Sequence, residues 1–292
     1  MLEQFLTYLK TEKRVSEHTI KAYENDLCTF FEYALIEKPD DLNEISYQNI
    51  RGWIVELVNH QKSNRTVNRK LSTLRTFFKW ALRNKIIEAN PMLRVKGPKQ
   101  EKRLPEFIKV EEMDLDKMDQ LFSDTFEGLR DRLMIELFYQ TGIRLSEMIH
   151  LKVNDFQTHQ IKVLGKRNKE RIIPVSQELS TSLEVYLCSN TFKSLSSECV
   201  FTTNKGKKMY PNFVYRRIKY YLSLMTNLKK RSPHVLRHTF ATHMLNKGAG
   251  LESLKEILGH ANLSATQVYT HNSFDQVAKI YKQAHPRGSN KS

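Results

Sequence analysis

The stretch SPHVLRHTFATHMLNKGAGLESLKEILGHANLSATQVY, residues 232–269, decides how the second half of this chain folds. Ser232–Pro233 is typical of a helix start, and apolar residues recur after it at helical spacing. Lys247–Gly248 ends this helix, and the pattern predicts a second, shorter helix over Leu251–Leu258. Gly259 then breaks the chain, so the next residue lies at the end of a helix.

Four polar residues of this stretch are suited to handling a phosphate group, namely His234, Arg237, His260 and Tyr269. The first two are three residues apart and therefore share a helix face. His260 directly follows the break at Gly259, and Tyr269 comes nine residues later. Any one of them alone is better explained as a surface or core residue, so the functional hypothesis rests on their combination.

Metal chemistry is not predicted. His234 and His238 have the spacing of two zinc ligands on a helix, but Val235 stands where the metalloprotease motif has its glutamate. The three cysteines lack metal-binding spacing or a pairing pattern, which favours small packing residues in a reducing compartment: Cys28, Cys188 and Cys199. The sequence therefore predicts no metal and no cofactor.

The order H-x-x-R-H, L-G-H, Y resembles the signature of the tyrosine recombinases, also called phage integrases. A second segment, TGIRLSE over Thr141–Glu147, resembles the other signature box of that family. Arg144 there follows a helix break at Gly142, and Glu147 lies three residues on, where a carboxylate can orient it. Without the resemblance, a surface ion pair would be the simpler interpretation.

Between the two boxes, β-branched runs at Gln160–Leu164 and Arg171–Val175 predict a β-hairpin around the turn-rich segment GKRNKE. This hairpin resembles the one that carries the active-site lysine of the family, and that position is Lys166. The other cations of the hairpin are either solvated or contacts to a DNA backbone: Arg167, Lys169 and Arg171.

Length and charge point to a two-domain protein with a polyanionic partner. The chain has 292 residues, a formal net charge of +15 and a pI near 9.6. Residues 1–95 predict a helical DNA-binding domain, residues 96–106 a linker, and residues 107–292 the catalytic domain with a tail helix. Because neither a signal-peptide core nor a membrane-length apolar run is present, we expect a cytoplasmic protein bound to double-stranded DNA and not to a membrane.

In the first domain, four amphipathic helices are expected, and the fourth, Thr66–Leu82, carries a basic face without interleaved acids. A solvated exterior is the alternative to DNA contact. We predict phosphate contacts from part of this face: Arg65, Arg69, Lys70 and Arg75.

In the second domain, further helices are expected at Asp131–Thr141, from Arg144 to Leu151, at Ser176–Leu187 and at Tyr210–Leu224. The last of these interleaves aromatic and basic residues, which favours Arg216 as a DNA contact. A stripe at Phe274, Val277, Ala278 and Tyr281 predicts a tail helix that docks on its own domain or on a neighbour, and residues 286–292 are expected to be disordered.

The resemblance, together with the helical periodicity, implies a mainly α protein: a helical N-terminal DNA-binding domain and an α+β catalytic domain with a small antiparallel sheet.

The residues of the two boxes suit the chemistry of phosphodiester cleavage. Arg144 and Arg237 would clamp the non-bridging oxygens, supported by Glu147, and His260 would add a hydrogen bond. Three further residues have assigned roles: Tyr269 as nucleophile, His234 as its base and Lys166 as the acid for the leaving oxygen.

Within the family the chain looks most like the Xer recombinases, with GKxNKER in the hairpin and HPR at His285–Arg287. That likeness implies a homotetramer or heterotetramer on two DNA sites, a Holliday junction, and resolution of chromosome dimers at a dif-like site, with a septal DNA translocase as a possible activator. A mobile-element integrase, a non-enzymatic DNA-binding clamp and a strand-passage topoisomerase stay open as alternatives.

Overall fold

The computed structural model of the chain describes residues 1–99, 106–114, 118–165, 170–195, 197–259 and 271–288, without the side chains of 190 and 271–276. The chain divides into two units, Met1–Arg103 and Leu104–Ser292. This division falls inside the segment that the sequence predicts as a linker. None of the described helices is long and apolar enough to cross a membrane.

The first unit contains the four predicted helices: α1 Leu2–Thr11, α2 Glu17–Ala34, α3 Tyr47–Asn59 and α4 Asn64–Arg83, with a 3₁₀ turn at Pro39–Glu44. Serine side chains cap the N-termini of three of them: Ser16, Ser46 and Ser63 each accept a hydrogen bond from a backbone N–H of the first turn. The predicted start of α4 at Thr66 is wrong by two residues, since Ser63 caps the helix.

Aromatic side chains fill the core between these helices. Phe5 of α1 meets Phe77 of α4 edge to face at 5.2 Å between ring centroids, and Phe30 of α2 meets Trp53 of α3 at 5.0 Å. Such edge-to-face pairs stabilise the packing beyond the area they bury. The helices of the first unit are therefore joined through one aromatic cluster.

The described part of the second unit is mainly helical: α5 Phe126–Thr141, α6 Leu145–Ile149, α7 Gln177–Cys188, α8 Asn190–Leu195, α9 Pro211–Met225, α10 Pro233–Asn246, α11 Leu251–Leu258 and α12 His271–Ala284, with 3₁₀ turns at Val110–Met113 and Val153–Asp155. The central helix α5 is buried on nearly all sides, as its sequence predicts. It starts at Phe126 and not at Asp131, because the Thr125 side chain caps it. Helix α6 ends at Ile149, two residues before the predicted end.

A small antiparallel sheet follows α6 and precedes α7 along the chain. Its strands are β1 Phe156–Gln157, β2 Gln160–Leu164 and β3 Glu170–Pro174, in that order across the sheet. The predicted hairpin is present, but β3 begins one residue earlier than expected. No pattern in the sequence predicts β1, which is only two residues long. In the register of β2 and β3, Val163 pairs with Arg171 and Ile161 with Ile173.

The tail helix α12 packs on its own unit. Tyr281 is 1% exposed and donates a hydrogen bond to Gln140 of α5. Beyond the helix, Arg287 bonds to the Glu136 carboxylate and to the Met113 carbonyl at 2.6 Å. The prediction of disorder from residue 286 onward is therefore wrong for 286–288. Docking of the tail on a neighbouring protomer stays a prediction.

The cysteines are free, as expected, but they are not uniformly packing residues. Cys28 and Cys199 are half-buried, whereas Cys188 is exposed at the end of α7. The interpretation of all three as packing residues is therefore wrong for Cys188.

Candidate active site

Helix α10 carries the H-x-x-R-H box and holds Arg237 half-buried on its inner side. Pro233 occupies the first turn, where its missing N–H costs nothing. The Arg237 guanidinium donates from Nη1 to the Gly142 carbonyl and from Nη2 to the Leu258 carbonyl at 2.8 Å. Arg237 therefore joins the end of α5 to the end of α11.

Arg144 is the N-cap residue of α6, directly after the turn that ends α5. Its backbone N–H donates to Glu147 Oε2 at 2.9 Å, and its Nη1 donates to Glu147 Oε1 at 2.8 Å. Glu147 thus orients Arg144, as the sequence predicts from the three-residue spacing. The third contact of Arg144 runs from Nη2 to the Gly259 carbonyl at 2.9 Å.

The carboxyl end of α11 is the point where three arginines meet. Three consecutive carbonyls, of Ile257, Leu258 and Gly259, accept from Arg171 Nε at 2.7 Å, Arg237 Nη2 at 2.8 Å and Arg144 Nη2 at 2.9 Å, respectively. The last carbonyls of a helix lack partners within the helix and carry the negative end of its dipole, which guanidinium groups satisfy. The arginines are therefore fixed to one short segment of backbone.

Two glycines make this arrangement possible. Gly142 ends α5 with φ +58°, and a Cβ built there would lie 2.6 Å from Phe240 Cδ1 and 2.8 Å from Leu258 Cδ2. Gly259 ends α11 with φ +63°, and a Cβ there would lie 3.1 Å from Arg171 Nη1. Both positions require a left-handed backbone and close approach of a neighbour, which only glycine combines without strain.

The cluster is strongly electropositive. Burial lowers the pKa of Arg237 to about 10, and the charges of Arg144 and Arg171 act in the same direction against the opposing effect of Glu147. Burial would raise the pKa of Glu147, but hydrogen bonds and charge from Arg171, with further hydrogen bonds from Arg144, hold it at about 2. The cluster is therefore suited to binding an anion.

Comparison with known proteins decides the family. Residues 111–276 match the phage integrase family, and residues 2–85 match the phage integrase N-terminal SAM-like domain. The chain belongs to the phage integrase family. It is a tyrosine-type site-specific recombinase, so the resemblance seen in the sequence is confirmed.

Two curated relatives are tyrosine recombinases XerC that align with this chain along nearly its whole length. The protein of Anoxybacillus flavithermus is 38% identical over 297 residues, covering 98% of this chain and 97% of the relative. That of Staphylococcus saprophyticus is 39% identical over 288 residues, covering 98% and 97%. The prediction that the chain is most like the Xer recombinases is confirmed.

Solved structures support the fold of the recombinase. The XerH site-specific recombinase bound to a palindromic difH substrate has a TM-score of 0.71 at 20% identity, covering 98% of this chain and 81% of XerH. The Tn1549 transposon integrase in complex with circular intermediate DNA has a TM-score of 0.69 at 18% identity, covering 94% and 97%. The predicted fold class is confirmed: a helical N-terminal domain and a catalytic domain with a small antiparallel sheet.

Three predicted catalytic residues of the recombinase lie outside the described residues: Lys166, His260 and Tyr269. The same holds for the hairpin cations Arg167 and Lys169. Their catalytic roles stay predictions.

The histidines of α10 differ in their surroundings. His234 is exposed in the first turn of the helix, one turn before Arg237, whereas His238 is half-buried. His243 is buried, its Nδ1 lies 3.1 Å from the Tyr139 hydroxyl, and burial lowers its pKa. His243 is therefore a packing residue. Among the described residues, no group of His, Cys, Asp and Glu side chains could hold a metal ion.

Two of the predicted DNA contacts are buried inside the protein. Lys70 is 9% exposed and donates to Asp26 Oδ1 at 3.0 Å, while Arg171 is 4% exposed and donates to Glu147 and Ile257. Because their cationic groups are buried against carboxylates, we assign both a structural role in place of the predicted DNA contact.

The other described members of the set are exposed: Arg65, Arg69, Arg75 and Arg216. Arg69 forks onto Asp26, with Nη2 at 2.9 Å from Oδ1, and Arg75 donates to the Val95 carbonyl at 3.0 Å. Arg216 donates to the Tyr210 hydroxyl at 3.1 Å. These bonds leave the side chains at the surface, and their contact with DNA stays a prediction.

Proposed function

We propose that this recombinase cuts and rejoins DNA through a 3′-phosphotyrosyl intermediate on Tyr269. The observation that carries the proposal is the convergence of Arg144 and Arg237 on the adjacent carbonyls of Leu258 and Gly259. Two guanidinium groups held this close repel each other, and a phosphate between them offsets that repulsion. His260 is the next residue along the chain, and we propose that it contributes to the same site.

The two arginines supply the charge that the reaction needs. A phosphodiester gains negative charge on its non-bridging oxygens as a nucleophile attacks, and Arg144 and Arg237 donate to those oxygens, with a further hydrogen bond from His260. In many nucleases metal ions supply this charge. We therefore expect cleavage by this chain to need no metal.

In the cleavage step, the phenolic oxygen of Tyr269 forms a bond to phosphorus as the bond from phosphorus to the 5′ oxygen breaks. A phenol has a pKa of about 10, so its proton must pass to a base, for which we propose His234. Lys166 gives a proton to the departing 5′ oxygen. The free 5′ hydroxyl of a second strand then attacks the phosphotyrosyl ester, which restores the diester and releases Tyr269.

The likeness to the XerC relatives and to XerH on difH DNA supports a finer proposal for the biological role. Four protomers, identical or of two kinds, would act on two DNA sites in the cytoplasm and exchange strands through a Holliday junction. The product would be resolved chromosome dimers at a dif-like site, with a septal DNA translocase as activator.

A mobile-element integrase is the second candidate, since the Tn1549 transposon integrase shares the fold. It would use the same residues on different DNA. A clamp that only binds DNA has no use for two arginines and a glutamate arranged at a helix end, which disfavours it.

The proposed role of Tyr269 as nucleophile is tested with the variant Tyr269→Phe on a nicked suicide site. The variant should bind the site with wild-type affinity and form no covalent adduct on a denaturing gel. Wild-type adduct should persist in excess EDTA and decrease steeply with salt, because phosphate contacts release counterions. An adduct in Tyr269→Phe, or cleavage that EDTA abolishes and Mg²⁺ restores, would contradict the mechanism.

The biological role is tested by sequencing the DNA recovered with Tyr269→Phe from cells. Recovery of a single chromosomal site where replication ends supports the dif-like role. Recovery of the ends of a mobile element supports the integrase alternative.

A further inference from the structure

Arg171 lies on β3 with its side chain directed into the second unit, and it is 4% exposed. Its guanidinium makes three hydrogen bonds: Nε to the Ile257 carbonyl at 2.7 Å, Nη1 to Glu147 Oε1 at 2.9 Å and Nη2 to Glu147 Oε2 at 2.8 Å. The fork therefore occupies both carboxylate oxygens, and the Nε bond fixes the plane of the group. Neither the motif resemblance nor the chemistry of cleavage assigns Arg171 a part in the reaction.

The same carboxylate and the same helix end also hold Arg144. Glu147 accepts from the backbone and from Nη1 of Arg144, and the Gly259 carbonyl accepts from Arg144 Nη2. Arg171 and Arg144 are thus connected by two routes, one through the Glu147 carboxylate and one through the backbone from Ile257 to Gly259. We therefore expect a displacement of Arg171 to alter the position of Arg144 through both.

Another cation cannot take the place of this guanidinium. A lysine presents one point charge, whereas the site needs three donors in fixed directions for two carboxylate oxygens and one carbonyl. Without Arg171, Glu147 would keep Arg144 as its partner and could draw it inward, away from a phosphate. The end of α11 would lose the bond to its Ile257 carbonyl at the same time.

We propose that Arg171 is a positioning residue of the recombinase, which acts through Glu147 and the end of α11 to set the place of Arg144. This inference rests on the proposed role of Arg144 at the scissile phosphate. It adds to that role by naming the residue that keeps the Arg144 fork available to the DNA.

Arg130 provides a matched control in the same unit. It is 1% exposed, forks onto Asp131 through Nε at 3.0 Å and Nη2 at 2.9 Å, and reaches the Thr202 carbonyl. None of these partners contacts Arg144, Glu147 or α11 in the described hydrogen bonds. Arg130→Lys therefore removes a comparable buried fork without touching the proposed site.

The first experiment compares the rates of adduct formation by Arg171→Lys and Arg130→Lys on a nicked suicide site. The protein is saturating, and the temperature lies well below the unfolding transition of each variant. A geometric displacement of a catalytic group costs roughly a hundredfold in rate. We expect Arg171→Lys to lose about ten- to a hundredfold in adduct formation with unchanged half-site affinity. Arg130→Lys should lose stability and keep the wild-type rate. Equal rates for the two variants, after equal loss of stability, would overturn the inference.

The second experiment replaces one non-bridging oxygen of the scissile phosphate by methyl. This methylphosphonate carries no charge, so it depends less on Arg144, and the deficit of Arg171→Lys relative to wild type should shrink on it. Glu147→Gln, which keeps the size of the side chain, is the second variant and should show the same recovery even where Arg171→Lys folds poorly. A deficit that stays undiminished for both variants would overturn the inference.

Arg144→Ala separates this inference from the proposed function. It should fail to cleave ordinary DNA and regain part of the cleavage activity on the methylphosphonate. Wild-type cleavage by Arg144→Ala would contradict the phosphate clamp itself, whereas failure of Arg144→Ala together with wild-type cleavage by Arg171→Lys would remove only the positioning role of Arg171.

Discussion

Glu147 and Arg171 form a buried, doubly hydrogen-bonded pair, with 2.9 Å between Oε1 and Nη1 and 2.8 Å between Oε2 and Nη2. The pair joins α6 to β3, and the same carboxylate orients Arg144. Taking two opposite charges out of water together is tolerated because each satisfies the other. The loss of either charge is therefore expected to lower the stability of the folded chain.

The first prediction concerns the pH dependence of this pair. The pKa of Glu147 lies at about 2 in the folded chain, below the ordinary 4.5 of an unpaired glutamate. Its stabilisation is therefore complete above pH 4.5 and is lost as the pH falls towards 2. We expect the stability advantage of wild type over Glu147→Gln to shrink by about 1.4 kcal/mol per pH unit below 4.5.

Urea unfolding followed by far-ultraviolet circular dichroism measures this advantage at pH 6, 4.5 and 3.5. Both tryptophans of the chain, Trp53 and Trp80, lie in the first unit. Unfolding followed by tryptophan fluorescence is therefore an internal control, which should not differ between wild type and Glu147→Gln at any one pH. An advantage that is the same at all three values would mean that Glu147 is not held ionised by its arginines.

The second prediction concerns the turn that precedes Arg144. Gly142→Ala should cost the strain of a left-handed alanine, about 1–2 kcal/mol, and a further 1–3 kcal/mol from the approach to Phe240 and Leu258. Gly248 is the matched control, because it also has a positive φ, of 85°, but nothing lies within 4 Å of the place that an added methyl group would take. Gly248→Ala should show the strain alone.

Thermal unfolding and adduct formation test both glycine variants. Only Gly142→Ala should also slow adduct formation, because Leu258 carries a carbonyl that holds Arg237. Equal effects of the two substitutions on stability and rate would contradict the close packing at Gly142.

Local signals predicted the elements that surround the site. The bounds of α11 match the sequence pattern, and Gly259 ends it, because a helix end is encoded by neighbouring residues. The position of Glu147 relative to Arg144 is likewise a property of one helical turn. Local sequence thus accounts for the two boxes and for the backbone breaks that bring them together.

Partners from distant segments could not be predicted in the same way. Arg171 and Lys70 look like surface cations in the sequence, because their carboxylates, Glu147 and Asp26, belong to other elements. One signal was available for Arg171: it lies two residues before Ile173 on a strand and therefore shares its buried face. For Lys70 only the three-dimensional packing of α2 on α4 supplies the answer.

The third prediction concerns Asp26, which is 1% exposed and accepts from Arg69, Lys70 and Thr73. Asp26→Asn leaves the Lys70 ammonium buried without a carboxylate, which is expected to cost about 3–5 kcal/mol. Because Lys70 Nζ lies 5.6 Å from the centroid of the Trp53 ring, tryptophan fluorescence reports the unfolding of this unit.

Glu12→Gln is the control for Asp26→Asn. It breaks the exposed pair between Glu12 and Arg83, at 3.3 Å, and such surface pairs contribute about 0–1 kcal/mol. A loss from Asp26→Asn as small as that from Glu12→Gln would mean that the Lys70 ammonium reaches solvent, which would restore Lys70 as a candidate for DNA contact.

The fourth prediction concerns the tail. Arg287 bonds to the buried Glu136 and lies over the Tyr139 ring at 5.4 Å from its centroid. Arg287→Met should destabilise the second unit by about 3–5 kcal/mol, because it leaves the Glu136 carboxylate buried without its cation. Lys282→Met, at an exposed position of the tail helix α12, should have little effect. Circular dichroism on thermal unfolding compares the two.

Equal stability of Arg287→Met and Lys282→Met would show that the tail is not held on its own unit in solution. Truncation after Ser273 would then be expected to leave half-site binding intact and to reduce cooperativity on a full site in a gel-shift titration. Retained cooperativity after truncation would argue against transfer of the tail to a neighbour.

The last prediction tests Lys166, the assignment that rests on the motif resemblance. If its ammonium protonates the leaving 5′ oxygen, the penalty for removing it depends on how basic that leaving group is. An alkoxide needs the proton, whereas a thiolate, with a thiol pKa of about 8.5 as in cysteine, does not. Lys166→Ala should therefore cleave ordinary DNA very slowly and approach the wild-type rate on DNA whose scissile 5′-bridging oxygen is sulfur.

Arg144→Ala and Lys169→Ala are the controls for this substrate. Sulfur should not rescue Arg144→Ala, because that side chain neutralises the non-bridging oxygens and gives no proton to the leaving group. If sulfur rescues neither Lys166→Ala nor Arg144→Ala, Lys166 binds or positions the phosphate and is not the acid. Rescue of Lys169→Ala in place of Lys166→Ala would move the acid three residues along the hairpin, because the turn residue Arg167 would then have shifted its register.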